Sequence, residues 1–482
     1  MSGLIEPASH HQCQVLVIGS GAGGATTAAL LAEAGIDVLV VEEGAWVEQG
    51  SLVPFSLEQM DRQYRSGGVT VALGRPSIAY TEGCCAGGGT EINSGLYRRP
   101  SEETLDRWRR LTSIAELDSD TFYAACDEIE VALSVQTVPG AQIPASELLR
   151  NGAEALGWRH DEIPRWMTYP PGGDATQGRR QSMTRTFLPR AFAGGARMLT
   201  EHRVERLIHD GLRSFRAEVT GPDDRPVTID FEQVVVCAGA IQSPALLQRS
   251  GHRNLVGRRL AVHPTVKLAA RFDDEVNVVD DVPVHQVKEF APDLSFGGSA
   301  SQPGLVALAL SDHWALMRDA VTEWRRIAVY YAAITSEGRG RVTALPGLRD
   351  PLVTYRLTAR DRALLGSGLA RLALVMLAAG AREVYPSFRG APVVRSRADL
   401  AQVTARFAAT AASVMTVHLC STVPMGEDRG VAAADSFGRV HGTDNVYVND
   451  ASLLPDAPGV NPQAAVMAIA TRNARHLAGS LA

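Results

Sequence analysis

The most constraining stretch of this chain lies near its start. Val15-Leu16-Val17-Ile18 is a short, β-rich run without charge, as expected of a strand buried on both faces. Gly19-Ser20-Gly21-Ala22-Gly23-Gly24 follows. An alanine- and leucine-rich stretch of helical length then covers 25–34, with Gly35 placed to stop it. A second buried strand, Val38-Leu39-Val40-Val41, ends at Glu42. Strand, glycine turn, helix and strand make a βαβ unit, and the GxGxxG spacing suits a turn that receives a dinucleotide. Gly19 permits the turn, Gly21 lets a pyrophosphate approach the backbone, and Gly24 lets helix and strand pack closely. The phosphates then meet free N–H groups at the helix N-terminus. Glu42 comes roughly 20 residues after the glycines, where a carboxylate accepts from a ribose diol and repels a 2′-phosphate. Glu43 beside it adds to that repulsion. NAD and FAD satisfy this motif equally, so the residues that choose between them lie elsewhere.

A chain of 482 residues exceeds one typical domain, which predicts two or three substructures. With 45% hydrophobic and 21% charged residues it is neither disordered, nor a coiled coil, nor collagen-like. A net charge of −6 gives no electrostatic reason to expect nucleic acid or an anionic membrane as partner. Of 47 basic residues only Lys267 and Lys288 are lysines, which reads as genomic base composition. The cysteines (13, 84, 85, 126, 237 and 420) show no zinc-type pairing and are too sparse for a disulfide framework, so no metal site is expected. The N-terminus lacks a basic region followed by an apolar one, and the most apolar window, 368–381, contains Arg371 and is too short to span a bilayer. A cytoplasmic, reducing setting is the expectation.

Further along, 101–135 reads as helix, with Trp108, Leu111, Ile114, Phe122 and Ile129 on its apolar face. Residues 265–345 alternate like antiparallel strands, for instance over 305–310 and 327–334. Thr358 and Asp361 resemble a capping box ahead of a helix through Leu365, Leu369, Leu372 and Met376 that ends at Gly380. Buried-strand signals return at Val234-Val235-Val236 and Val446-Tyr447-Val448. The chain leaves a nucleotide-binding core, builds a mixed second region and returns to the core at its end.

Gly83-Cys84-Cys85-Ala86-Gly87-Gly88-Gly89-Thr90-Glu91-Ile92-Asn93 resembles the second signature of the glucose–methanol–choline (GMC) oxidoreductases. The run from Val236-Cys237-Ala238-Gly239 to Arg249-Ser250-Gly251 resembles their third, and Asn445 to Ser452 with Gly459-Val460-Asn461-Pro462-Gln463 resembles their closing segment. The resemblance implies an α/β fold, α+β overall: a Rossmann-like FAD-binding domain (1–100, 190–264 and 427–482) and a discontinuous substrate domain (101–189 and 265–426) built on an antiparallel sheet flanked by helices. Gly87, Gly88 and Gly89 would let backbone approach the flavin and pyrophosphate, where a Cβ would clash. Thr90 and Asn93 would donate hydrogen bonds to FAD, and Val204 would read the adenine edge through its backbone. Asp450 would face the pyrophosphate–ribityl region through water or a hydroxyl. Pro462 and Gln463 would open a helix whose N–H groups face the flavin N1–C2=O edge. Family members that tether the flavin use a histidine near the second signature, and none occurs here between His11 and His160. Non-covalent FAD is therefore expected, with Cys84 and Cys85 as small packed residues rather than thioether donors.

Alcohol oxidation needs a base for the hydroxyl proton and an acceptor for the hydride, here flavin N5. His418, in His418-Leu419-Cys420-Ser421-Thr422-Val423-Pro424-Met425-Gly426, matches the segment with the family's catalytic histidine, departing at Leu419 (often proline) and Ser421 (often glycine). Asn461 matches the second position, as a hydrogen-bond donor to the substrate oxygen. The resemblance thus implies oxidation of a small-molecule alcohol to an aldehyde or ketone, with oxygen or another acceptor taking the electrons. It leans toward the sterol and long-chain alcohol oxidases. Two alternatives stay open: a non-redox enzyme resembling the hydroxynitrile lyases, and a non-catalytic flavin-binding protein. Of the remaining candidates, His263 reads as structural and His441 as a surface-turn residue. His313 is more simply hydrogen-bonded than pocket-lining. Phe290, Phe296, Tyr330 and Tyr331 are candidate pocket walls, at least two of them better placed in the core.

Overall fold

A computed structural model describes residues 3–277, 283–318 and 320–481. Its first sheet runs in the order Arg203–Asp210, Arg213–Thr220, Pro226–Val236, His10–Ile18, Val38–Val41, Arg197–Leu199. His10–Ile18 lies parallel to both neighbours. Pro226–Val236 is long enough to pair along one edge with Arg213–Thr220 at its start and Val446–Val448 at its end. That second pairing returns the last quarter of the chain to the nucleotide sheet, as its apolar signature predicts. Residues 15–18 and 38–41 are buried throughout, which is why they carry no polar alternation.

The helix Ala22–Glu33 begins earlier than its apolar stretch suggests, because the turn's last glycines form its first helical turn. A Cβ on Gly24 would lie 2.0 Å from the Gly19 carbonyl oxygen, and one on Gly23 2.0 Å from that of Asn449. Only glycine lets this helix sit so close to the strand and to the 449–450 turn. The closing helix Gln463–Leu481 packs beside it.

The second sheet runs Thr70–Ala72, Ile78–Tyr80, Val414–Thr416, Thr265–Arg271, Ile327–Ile334, Leu294–Gly298, His285–Val287, His160–Glu162, with Glu383–Pro386 also against Thr265–Arg271. Its pairings are antiparallel except between Val414–Thr416 and Ile78–Tyr80. Residues 70–80, expected in the nucleotide-binding region, thus belong to this sheet. Strand alternation divides its faces. Val266, Leu268, Phe296, Tyr330 and Ala332 join Leu365, Leu369, Leu372 and Met376 of the helix Ala359–Ala378 in one core. Thr265, Lys267, Ser295, Tyr331 and Ala333 face the other way, into a cavity.

The capping box at Thr358 and Asp361 forms as expected. Two expectations fail. Residues 305–310 lie in the helix Pro303–Ala309 and its end, not a strand, with Pro303 at the first helical turn. Residues 101–135 form two helices, Glu102–Thr112 and Ser119–Ala132. Ser113 ends the first in a left-handed conformation, and Asp118 caps the second. No helix among the described residues is long and apolar enough to cross a membrane.

Candidate active site

A cavity of about 960 Å³ has the glycine turn at one end and the floor of the second sheet at the other. At the glycine end two backbones approach each other. Gly88 has φ +54, and a Cβ there would lie 3.0 Å from Gly21 Cα. The wall is therefore bare main chain, with Gly19, Gly21, Gly88 and Gly89 lining the cavity. Gly24 and Gly87 stand behind it. Gly87, at φ +84, donates its N–H to Ser20 Oγ at 3.0 Å. Ser20 in turn donates its N–H (3.0 Å) and its hydroxyl (2.7 Å) to Oε2 of Glu42, whose Oε1 accepts from Gly44 N–H at 2.9 Å. These bonds tie the glycine turn, the strand end and the second signature into one rigid unit. Glu42 is 7% exposed and lines the cavity, and Oε1 keeps acceptor capacity for a ribose hydroxyl. Burial pushes its carboxyl pKa up, while the Gly44 and Ser20 hydrogen bonds oppose that rise.

Several expected roles change. Glu43 does not stand free to repel a 2′-phosphate: its carboxylate pairs with Arg65 (2.6 Å), Arg203 (3.2 Å) and Arg349 (3.1 Å). Although burial opposes it, these arginines bring its pKa down to about 2. The Thr90 hydroxyl donates to the Gly87 carbonyl at 2.7 Å and accepts from Met183 N–H, so it braces the glycine loop and has no proton left for a cofactor. Asn93 donates to Gln463 Oε1 at 3.0 Å and accepts from Gly95 N–H, locking the second signature to the closing helix. Asp450 borders the cavity, but its oxygens are taken: Oδ2 accepts from Gly239 N–H and the Ser243 hydroxyl, Oδ1 from the N–H and hydroxyl of Ser452. It clamps the start of the helix Gly239–Arg249 and needs neither water nor a ribityl hydroxyl. Val204, beside Arg203, lines the cavity on the strand Arg203–Asp210.

The chemistry gathers where the chain returns from the second sheet. Ala261–Val262 pairs antiparallel with Leu419–Cys420, Val262 opposite Leu419. That register sets His263 opposite His418, and their Nδ1 atoms lie 2.9 Å apart. Ser421 has φ +69, the left-handed backbone that explains the glycine of the resembling pattern. Its hydroxyl donates to the Pro455 carbonyl at 2.7 Å, which holds this turn without glycine. Asn461 Nδ2 lies 3.5 Å from His418 Nε2, and Pro462 and Gln463 line the cavity beside it. His263, expected to be structural, is thus part of the site. The signal for it was a strand pairing across 155 residues, which no local pattern reveals.

The hydrogen bonds order the protons on this pair. Gly459 N–H donates to His263 Nε2 at 3.1 Å. The His263 proton therefore sits on Nδ1 and points at His418 Nδ1, leaving the His418 proton on Nε2, toward the cavity. Burial, then the positive charge of Lys288, lowers the His418 pKa to about 4; burial foremost holds His263 well below its ordinary value. Both rings are neutral at pH 7.

At the sheet end, Tyr331 lines the cavity and accepts from Gln286 Nε2 at 3.1 Å. Phe296 and Tyr330 belong to the core behind the sheet, with Phe290 packed at its margin. His313 is buried against the Pro386 carbonyl, and His441 sits half-buried in a turn beside the Gly426 carbonyl. Cys85 is fully buried, and neither Cys84 nor Cys85 lines the cavity.

These residues fit FAD. The glycine wall admits a flat ligand that a Cβ would exclude, Glu42 suits a ribose, and the starts of Ala22–Glu33 and Gln463–Leu481 both border the cavity. Comparison with known proteins agrees. Residues 60–265 and 336–470 match the two GMC oxidoreductase family models, and residues 12–51 match an FAD-binding domain model. An uncharacterized GMC-type oxidoreductase of Sinorhizobium fredii is 39% identical over 472 residues, covering 96% of this chain and 94% of the relative. A long-chain-alcohol oxidase of Arabidopsis thaliana is 25% identical over 508 residues, covering 97% of this chain and 69% of that protein. The crystal structure of pyridoxine 4-oxidase from "Mesorbium loti" superposes with a TM-score of 0.71 at 20% identity, covering 96% of this chain and 99% of the other.

Proposed function

Since the chain belongs to the GMC oxidoreductases, an FAD-dependent enzyme family, we propose that it oxidises an alcohol to the corresponding aldehyde or ketone at His418 and Asn461. The observation that carries this reading is the convergence of His418 Nε2 and Asn461 Nδ2 on the cavity that the glycine wall closes. A binding protein has no use for that pair.

Bound non-covalently, FAD supplies the hydride acceptor. His418 takes the hydroxyl proton at Nε2 as the carbinol carbon gives up hydride, and the Asn461 amide donates to the oxygen while negative charge builds on it. Proton uptake at Nε2 needs a lone pair there. Both rings must then hold the opposite tautomer, with His418 Nδ1–H donating to His263 and the Gly459 hydrogen bond given up. That exchange costs about 1–3 kcal/mol, small against a chemical barrier. A neutral imidazole is available well below pH 7, since the His418 pKa is held near 4. Lining by Glu42, Val204 and the glycine wall supports placing the adenosine and pyrophosphate at the opposite end.

Anaerobic mixing of the purified holoenzyme with alcohols tests this reading. Loss of flavin absorbance, with one equivalent of carbonyl product, is the expected result. Cyanohydrin cleavage without loss of colour would instead identify a lyase.

A further inference from the structure

The chain contains 47 basic residues and only two lysines, Lys267 and Lys288. If base composition alone set that ratio, the survivors would fall where most basic residues fall, on the outer surface. Both line the cavity instead. Lys267 lies on the strand Thr265–Arg271 with its neighbours Val266 and Leu268 in the core, so its side chain takes the cavity face. It is paired across the sheet with Tyr331. Lys288 follows Gln286 by two residues, with Val287 in the core between them.

Among the described residues neither ammonium has a hydrogen-bond or ion-pair partner. Lys267 is shifted by burial alone, to about 8, with no carboxylate near enough to oppose it. Asp161, whose charge reaches Lys288, is paired with Arg98. The carboxylates on the cavity wall are Glu42, Glu43, Glu82 and Asp450, and none stands on the sheet floor. Both lysines are half-buried and line the cavity; a partly desolvated ammonium without a counter-charge is costly, so packing does not account for two of them in one chamber. In this chain structural cations are arginines, as around Glu43. The floor adds a neutral donor, since the Tyr331 hydroxyl accepts from Gln286 and keeps its own proton. Lys288 also lies close enough to His418 and His263 for its charge to favour both neutral rings, which places the cationic floor beside the chemistry.

We propose that Lys267 and Lys288 form an anion-recognition subsite, and that the alcohol oxidised here carries a negative group, a carboxylate or a phosphate ester, at the end remote from its carbinol. This rests on the reading of His418 and Asn461 as an alcohol-oxidising pair. The anion lies on the sheet floor between the two ammoniums while the hydroxyl reaches His418. The cationic floor discriminates against neutral alcohols of the same length, because they would cover both ammoniums without supplying a counter-charge.

Two measurements on the holoenzyme test the proposal. Anaerobic flavin reduction is compared for a series of ω-hydroxycarboxylates, their methyl esters and the matching hydroxyalkyl phosphates. One of the anions is expected to exceed the ester of equal length by roughly 30-fold or more in kcat/KM, and Lys267→Met with Lys288→Met to collapse that ratio. Which anion wins separates the carboxylate from the phosphate. Separately, calorimetric titration with the alkyl carboxylate and alkyl phosphate that lack the hydroxyl reads binding without turnover, and the same pair of substitutions is expected to abolish it. Esters reduced as well as both anions would overturn the subsite and leave the alcohol reading standing. Lysine-dependent binding of an anion, with no reduction by any alcohol, would overturn the alcohol reading and leave the subsite standing. Wild-type protein that binds neither anion would overturn the subsite.

Discussion

Nδ1 of His263 and Nδ1 of His418 lie 2.9 Å apart, and the far nitrogen of His263 accepts the Gly459 N–H. The two rings thus share one proton order, imposed by the Gly459 backbone amide at the cavity wall. His418→Ala is expected to slow flavin reduction by roughly 10²–10⁴-fold with FAD retained. His263 acts through His418 as a positioning residue. His263→Ala should lower kcat roughly tenfold with KM little changed, about the loss of one hydrogen bond. His263→Asn, whose amide oxygen can still accept the His418 Nδ1–H that proton uptake at Nε2 requires, should recover part of it. Stopped-flow reduction of the three variants checks both statements.

The depressed pKa of His418 makes a pH prediction. An unperturbed imidazole would lose its basic form below pH 6.5, whereas one held near 4 keeps it. The acid limb of the reduction rate should therefore fall near pH 4. Stability falls earlier on the same descent. Between about pH 6.5 and 4 the unfolded chain binds protons that folded His418 and His263 refuse, so the fold loses stability as pH falls through that window. Reduction rates and melting temperatures over pH 4–8 measure the two effects separately.

Glu42 is the one carboxylate at the strand end left to receive a ribose. Glu42→Gln keeps one acceptor oxygen for Gly44 or Ser20 and loses the charge that both bond to. The flavin-to-protein ratio after gel filtration should drop while the far-ultraviolet circular dichroism stays native. Full flavin occupancy would remove Glu42 from the ribose.

The arginines around Glu43 differ in burial, and their substitutions should differ in cost. Arg65 is buried between Glu43, Glu82 and Asp350. Arg65→Ala leaves buried carboxylates uncompensated and should cost about 3–5 kcal/mol. Arg349, whose side chain is 72% exposed, reaches the same Glu43 oxygen, and Arg349→Ala should cost no more than about 1 kcal/mol. Urea denaturation of the apoprotein compares them.

The sequence revealed the nucleotide core best, because there each local signal has one cause. All-apolar runs at 15–18 and 38–41 are strands covered on both faces, and the glycines between them are forced by contacts of 2.0 Å. Motif resemblance singled out His418 and Asn461 as candidates, and the fold brings them within 3.5 Å of each other. Their geometry was not legible in the sequence, because His263 joins them through the 262–419 register rather than through any neighbour in sequence. Thr90 and Asp450 were assigned to the cofactor as polar residues in the right segments, yet both spend their hydrogen bonds on backbone and serine groups nearby. Residues 305–310 alternate large and small apolar side chains, a pattern that fits a short strand, whereas Pro303 marks a helix start. The two lysines looked like a compositional remnant because only the fold shows that they share a chamber.

In the proposed reaction a substrate hydroxyl meets His418 inside a cavity that also holds FAD. Rapid anaerobic mixing of the holoenzyme with an alcohol and its carbinol-deuterated form tests it most directly. The expected result is flavin bleaching that deuterium slows and that His418→Ala nearly abolishes while flavin stays bound. Bleaching of the His418→Ala holoenzyme at the wild-type rate, or no bleaching by any alcohol across the hydroxycarboxylate, phosphate and neutral series, would contradict it.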